Sequence, residues 1–245
     1  MKKIVFVVFS CLFVTMAFAQ DSIPTSTSNT KKINLINKPG DHLMLQLSSD
    51  HWASMPDSIS SHQSGFSRGF NVYFMYNKPI KNAPNYAIGI GLGVSTSNIV
   101  FKKMNVDLNA TSATLPFTPL DLSNHFKKFK LATTYLEVPV ELRYFAKPDN
   151  PNKCLKAAIG LKFGTLLNTH TKGKTLENSA DQTINTYTEK ENSKRYINGT
   201  QIMGTARIGY GIFSLFGSYG LTTILKSGYG ANMRLFQVGI TLSGL

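Results

Sequence analysis

An all-β fold is what this sequence predicts, specifically an eight-stranded antiparallel up-and-down transmembrane β-barrel, and three observations predict it. After residue 40 the dominant pattern has a period of two, which specifies half-buried strands and conflicts with helical spacing. Short and long connections alternate along the chain, as tight periplasmic turns and long outer loops do in an outer-membrane barrel. In the clearest strand, three glycines share the face opposite a bulky apolar row, which suits the crowded interior of a narrow barrel.

Taken in order, the chain opens with Lys2 and Lys3, an apolar run from Ile4 to Met16, and Ala17-Phe18-Ala19. That is the three-part pattern of a secretory signal peptide, so residues 1–19 are assigned to it, with cleavage after Ala19. The run is too short to cross a bilayer, which needs about 20 apolar residues. Residues 20–40 are polar and aperiodic and form a flexible periplasmic leader. Residues 41–245 are assigned to the barrel.

The strands begin with weak alternations at about 42–49 and 67–76. Tyr86, Ile88, Ile90, Leu92 and Val94 then alternate with Ala87, Gly89, Gly91, Gly93 and Ser95. Leu136, Val138, Val140, Leu142 and Tyr144 oppose Glu137, Pro139, Glu141 and Arg143. Leu155, Ala157, Ile159, Leu161 and Phe163 oppose Lys156, Ala158, Gly160, Lys162 and Gly164. Weaker runs occupy about 200–210, 213–223 and 233–243. The stretches near 51–66, 96–131, 168–199 and 224–232 are assigned to long outer loops, and no helix of useful length is expected. Phe66, Tyr76, Tyr86, Tyr144, Phe145, Tyr210 and Tyr219 lie near strand ends, where an interfacial girdle belongs.

With the apolar faces toward lipid, parity turns Arg68, Glu137, Glu141, Arg143, Lys156, Lys162 and Arg207 inward. An eight-stranded barrel is just wide enough for side chains to fill it. Charges confined there must pair, so a salt-bridged plug is expected rather than an open pore. Cationic neighbours keep Glu137 and Glu141 ionised, which leaves no general acid for a catalytic carboxylate pair. Pro139 forfeits a ladder hydrogen bond in mid-strand, and a β-bulge is expected there.

The run Tyr135-Leu136-Glu137-Val138-Pro139-Val140-Glu141-Leu142-Arg143-Tyr144 resembles the Y-L-E-[IV]-P-[LV]-x-L-[KR]-Y signature of Bacteroidetes outer-membrane β-barrel proteins, a family labelled PorT-like. The glycine-alternating strand and Tyr210 to Tyr219 are similar to that family's as well. The resemblance runs from about residue 41 to the end, outside the long loops. It implies an outer-membrane location and a part in type IX secretion or gliding, and it transfers no catalytic motif.

Composition is consistent with this. Charged residues are only 16% of the 245, and the net charge is +13, which points toward anionic partners. Nucleic acid is set aside for an exported chain. Lys102 and Lys103, then Lys127, Lys128 and Lys130, then Lys172 and Lys174, then Lys194 and Arg195 cluster at loop bases, where lysines snorkel to lipid phosphates; lipopolysaccharide is the expected partner, with a protein docking at the long loops. The five histidines show no metal-ligand spacing, so no metal or cofactor is expected. Asp121, Ser123 and His125 are the nearest approach to a catalytic group, and solvated loop is their plainer reading. The function expected is non-enzymatic and structural or accessory. A narrow channel, a lipid-modifying enzyme and a soluble ligand-binding barrel are the alternatives.

Overall fold

The computed structural model describes residues 42–150 and 153–243, so the signal peptide and the leader lie outside the described residues. Eleven strands follow one another: β1 (Leu43–Ala53), β2 (Arg68–Ile80), β3 (Ala83–Phe101), β4 (Met104–Val106), β5 (Phe117–Pro119), β6 (His125–Phe145), β7 (Leu155–Glu177), β8 (Thr183–Asn192), β9 (Thr200–Tyr210), β10 (Phe213–Gly220) and β11 (Arg234–Ser243). β1, β2, β3, β6, β7, β9, β10 and β11 each pair antiparallel with the next, and β11 pairs back onto β1. The ring is therefore closed and up-and-down, and closure removes the free edges of those eight strands. β8 adds to the outer stretch of β7, while β4 and β5 form a separate hairpin. A single helical turn, Asp57–Ser60, follows β1. Among the described residues no helix is long and apolar enough to cross a membrane.

Alternation sets the faces. Ile88, Ile90, Leu92, Val138, Leu142, Ile159, Phe163, Leu215 and Val238 all stand exposed on the outside of the ring. An apolar patch this continuous has no place on a soluble protein, where patches stay within a few hundred Å². On β3 the outward row runs apolar from Tyr86 to Val94, then changes to Thr96 and Asn98. Those eight steps, at ~3.3 Å each and tilted by ~40°, raise ~20 Å. That is close to the roughly 25 Å apolar band of outer-membrane barrels. Tyr76, Tyr86, Tyr144 and Tyr210 gather at the short-turn end, with the Tyr86 and Tyr144 rings 5.3 Å apart.

The stretches near 96–131 and 168–199 are not loops throughout. β3 continues to Phe101, β6 begins at His125, and β7 runs to Glu177 before β8. Along these extensions the apolar residues turn inward: Ile99, Phe101, Phe129 and Leu131 are buried, while Lys128 and Lys130 face out or to the side. Such a face pattern belongs to a barrel surrounded by water. The molecule thus has two storeys, a lower one with apolar residues outside and an upper one with apolar residues inside.

The upper core joins Trp52, Ile99, Phe101, Phe129, Leu131, Tyr196, Ile197, Leu225 and Leu235 with residues of the connecting segments. Met104, Val106, Leu108 and Leu115 from the β3–β6 connection are buried in it. The connections are also knitted by backbone bonds, with Leu115 N–H donating to Tyr229 O at 2.9 Å and Asn198 N–H to Ile224 O at 2.8 Å.

Pro139 does not sit at a bulge. The register between β3 and β6 is the same on both sides of it, from Ile90↔Val140 to Gly93↔Glu137, and the ladder opens between them. The missing N–H is accommodated by that local opening, while Pro139 stays in register with Lys162 on the other side. The bulge lies instead between Thr134 and Tyr135 in the pairing with β7, where Leu167 is the additional residue.

The inward glycines make room for the lumen side chains. A Cβ at Gly89 would stand 2.7 Å from Arg143 Nε, whereas one at Gly65 would meet nothing within 4 Å. Gly89→Val is expected to abolish or sharply reduce the folded form, because forced overpacking costs about 1–3 kcal/mol or more. Gly65→Val should fold normally. The proportion of each variant that migrates as the compact species on unheated gels checks this.

Candidate functional site

The lower storey encloses a charged network. Glu141 Oε2 accepts from Arg143 Nε at 2.8 Å and from Arg207 across the lumen at 3.1 Å. Arg143 also donates to Asn77 Oδ1 at 2.5 Å. A second centre forms where the Tyr73 hydroxyl donates to Glu137 Oε2 at 2.5 Å. Lys162 Nζ donates to Tyr73 at 3.2 Å and to Gln46 Oε1 at 3.0 Å, and lies 5.1 Å from the Tyr73 ring centroid and 5.4 Å from that of Phe216. Gln46 in turn donates to Thr241 and accepts from Asn71. A third centre holds Asp50 through Ser48 at 2.5 Å and Gln237 at 3.1 Å. Lys156 is buried with its ammonium 5.8 Å from the Phe145 ring centroid.

Six of the seven residues assigned inward by parity, Glu137, Glu141, Arg143, Lys156, Lys162 and Arg207, are therefore brought together in the lumen. Arg68 is not. On β2 the inward row is Gly69, Asn71, Tyr73 and Met75, and Arg68 stands exposed on the outer face, 5.1 Å from the Phe66 ring centroid. Asp50 takes a lumen place that sequence reasoning missed, because the predicted strand stopped at residue 49. The described lumen charges are thus three acids and four bases, closer to balance than two against five. Tyr73, Gln46, Asn71 and Gln237 were missed too. Asn71 and Tyr73 lie on β2, whose two faces look alike, whereas Gln46 and Gln237 are uncharged inward residues of β1 and β11 and fall outside a search for lumen charges.

At the outer rim, His125 Nε2 meets Asp181 Oδ1 at 3.1 Å, and its Nδ1 meets the carbonyl of Ser123 at 3.2 Å. Asp121 pairs with His62 instead, at 3.1 Å. Asp121, Ser123 and His125 are close in sequence but do not form an acid–base relay through the serine hydroxyl. His125, Glu177 and Asp181 do present ligand atoms within 4.8 Å of one another. Both carboxylates already carry an ammonium: Lys127 lies 3.0 Å from Glu177, and Lys103 lies 3.0 Å from Asp181. The hydrogen bond from Lys103 holds the Asp181 carboxyl below its ordinary range. The cluster is an ion-pair tie between the β3–β4 turn, β6 and the β7–β8 turn, and its two cations repel a third.

Five of the lysines expected at lipid phosphates separate into three environments. Lys103 and Lys127 belong to that tie, and Lys102 is exposed at the tight turn after β3. Lys128 and Lys130 stand on the outer face of β6, opposite Lys174 and Lys172 of β7.

A shallow dent of about 650 Å³ lies on the lipid-facing wall, floored by Gly204, Ala206 and Gly217 and rimmed by Ile159, Tyr219 and Phe236.

Two crystal structures of Ail, the attachment invasion locus protein of Yersinia pestis, resemble this chain, one of them in complex with the heparin analogue sucrose octasulfate. They are 9% and 10% identical to it, cover 82% of this chain and 94% of their own, and give a TM-score of 0.33. Nothing about role follows from so distant a likeness. Among curated proteins, none matches. A family model described as outer membrane protein beta-barrel domain matches residues 40–226. That match spans most of the closed ring, and its outward apolar band and inward charges are what an outer membrane demands, so this chain belongs to the outer membrane protein beta-barrel domain family.

Proposed function

We propose that the chain is a closed, non-enzymatic outer-membrane barrel with a structural or accessory role, exported by its N-terminal signal and holding its long hairpins outside the cell. The observation that carries this reading is the burial of the lumen charges. Asp50, Glu137, Glu141, Arg143, Lys156, Lys162 and Arg207 are each 7% exposed or less. A conducting path would have to wet these groups, and above them the apolar core fills the mouth. The hairpins of the upper storey offer the surface for a protein partner. The PorT-like motif from Tyr135 to Tyr144 supports an accessory part in type IX secretion or gliding.

The purified protein is expected to recover in the outer-membrane fraction, to shift mobility on boiling, and to give no conductance steps in planar bilayers. Steps whose size or ion selectivity changes in Glu141→Gln would establish a narrow channel and overturn the closed reading.

A further inference from the structure

We propose that a ladder of lysines on the outer wall of the upper storey binds the phosphorylated headgroup and core sugars of an outer-leaflet glycolipid, lipopolysaccharide. The inference rests on the reading of the chain as an outer-membrane barrel whose long hairpins are extracellular.

The register builds the ladder. Lys130 of β6 is opposite Lys172 of β7, which is opposite Lys190 of β8, so three ammonium side chains share one row across three strands. Lys128 and Lys174 form the next row outward, and His170 stands in the row below, opposite Ala132 and Asn192. Adjacent strands lie about 4.8 Å apart, and like charges placed directly opposite destabilise a sheet. A fold that stacks five lysines this way needs an anion to offset the repulsion.

Among the described residues no acid stands on this face. Glu189 and Glu191 alternate with Lys190 and fall on the other side of β8, opposite Gly173 and Thr171. Glu177 and Asp181 are engaged by Lys127 and Lys103. Lys130 Nζ donates to the neutral Asn98 Oδ1 at 2.6 Å. Burial first, then Lys172, Lys174 and Lys190, lower the Lys130 pKa, and burial with Lys190, Lys130 and Lys172 lowers that of His170. The groups feel one another, as a preassembled anion site requires.

Position selects the glycolipid over a soluble polyanion. The ladder stands on the same wall as the lipid-facing rows of β6 and β7, above Leu136, Val138 and Leu161. Six strand steps from Leu136 to Lys130 raise ~15 Å, and lysine stems reach several Å back toward the bilayer. An amphiphile whose acyl chains lie against the apolar rows places its phosphates and inner sugars at this level. The set differs from the loop-base residues picked out by sequence: Lys128, Lys130, Lys172 and Lys174 stay, Lys102, Lys103, Lys127, Lys194 and Arg195 leave, and Lys190 joins.

The test uses the full-length protein in detergent, titrated with lipopolysaccharide, with the same lipopolysaccharide dephosphorylated, and with dextran sulfate. Lys130→Gln/Lys172→Gln should keep its heat-dependent mobility shift and bind lipopolysaccharide about 30-fold more weakly, from roughly five-fold per lysine at an anionic surface. Dephosphorylated lipopolysaccharide should bind the native protein comparably weakly, and added salt should narrow the difference. Lys78→Gln/Lys81→Gln, at the short-turn end, should match the native protein. Unchanged affinity in the folded ladder variant overturns the proposal. So does dextran sulfate binding that lipopolysaccharide does not displace, which would make the ligand a soluble polyanion. Absence of the mobility shift in the native protein would overturn the barrel reading itself and is read separately.

Discussion

Glu141→Ala is expected to cost about 3–5 kcal/mol of folding stability, the range for removing one partner of a buried ion pair. Glu141 Oε2 serves Arg143 and Arg207 at once, and the side chains of all three are 4% accessible or less. Without the carboxylate, two guanidiniums face each other in a space with little water to screen them. Glu141→Gln retains an acceptor oxygen and the shape, so its loss should be nearer the 1.5–3 kcal/mol of a hydrogen bond to a charged group. Replacing both partners, as in Glu141→Leu/Arg207→Met, should recover part of the loss, since an apolar pair leaves less charge stranded. Urea-dependent survival of the compact band, measured in detergent for the four proteins, gives the order. Glu141→Ala as stable as the native protein would show that the arginines do not depend on it.

Where the two faces of a strand differ in chemistry, period two was sufficient to assign them. β6 and β7 alternate apolar with charged residues, so parity alone assigns Glu137, Glu141, Arg143, Lys156 and Lys162 to the lumen. β2 has no such contrast, because its inward Tyr73 and Met75 are as apolar as its outward Phe70 and Phe74. A choice of face there is undetermined, and a one-residue slip turns every side chain over. Arg68 was misassigned for that reason.

The upper storey was hidden by a different effect. At Thr96 and Thr134, which are partners in the ladder, the solvent outside the barrel changes from lipid to water. The alternation continues through Ile99, Phe101, Phe129 and Leu131, but with the apolar face reversed. A search for one continuous greasy stripe stops at that point and leaves a loop. The lysine ladder is the polar half of the reversed pattern, with Lys128 and Lys130 interleaved with Phe129 and Leu131, and Lys172 and Lys174 flanking Gly173. Its cross-strand rows depend on the bulge at Leu167, which changes the phase of β7 and so brings even-numbered residues to the outer face. Sequence spacing alone carries no sign of that phase change.

If the storeys are separate cores, damage to one should spare the other. Phe101 is fully buried, with its ring centroid 5.7 Å from Trp52 and 6.3 Å from Phe117. Phe101→Ala should cost about 3–5 kcal/mol, as large-to-small changes at buried aromatics do. That cost should appear as local opening, because the lower ring has its own ladders and charge network and the bilayer holds its outer face. The expected result is rapid proteolysis within 102–124 and 178–199, with the membrane-embedded strands protected and the heat-dependent mobility shift intact. Limited proteolysis in outer-membrane vesicles, followed by boiled and unboiled gels, separates the outcomes. Loss of the compact band together with the hairpins would mean that the apolar mouth and the charged lumen fold as one unit. In that case the closure of the barrel would depend on both, and neither the network around Glu141 nor the core around Phe101 could be relaxed alone to open it.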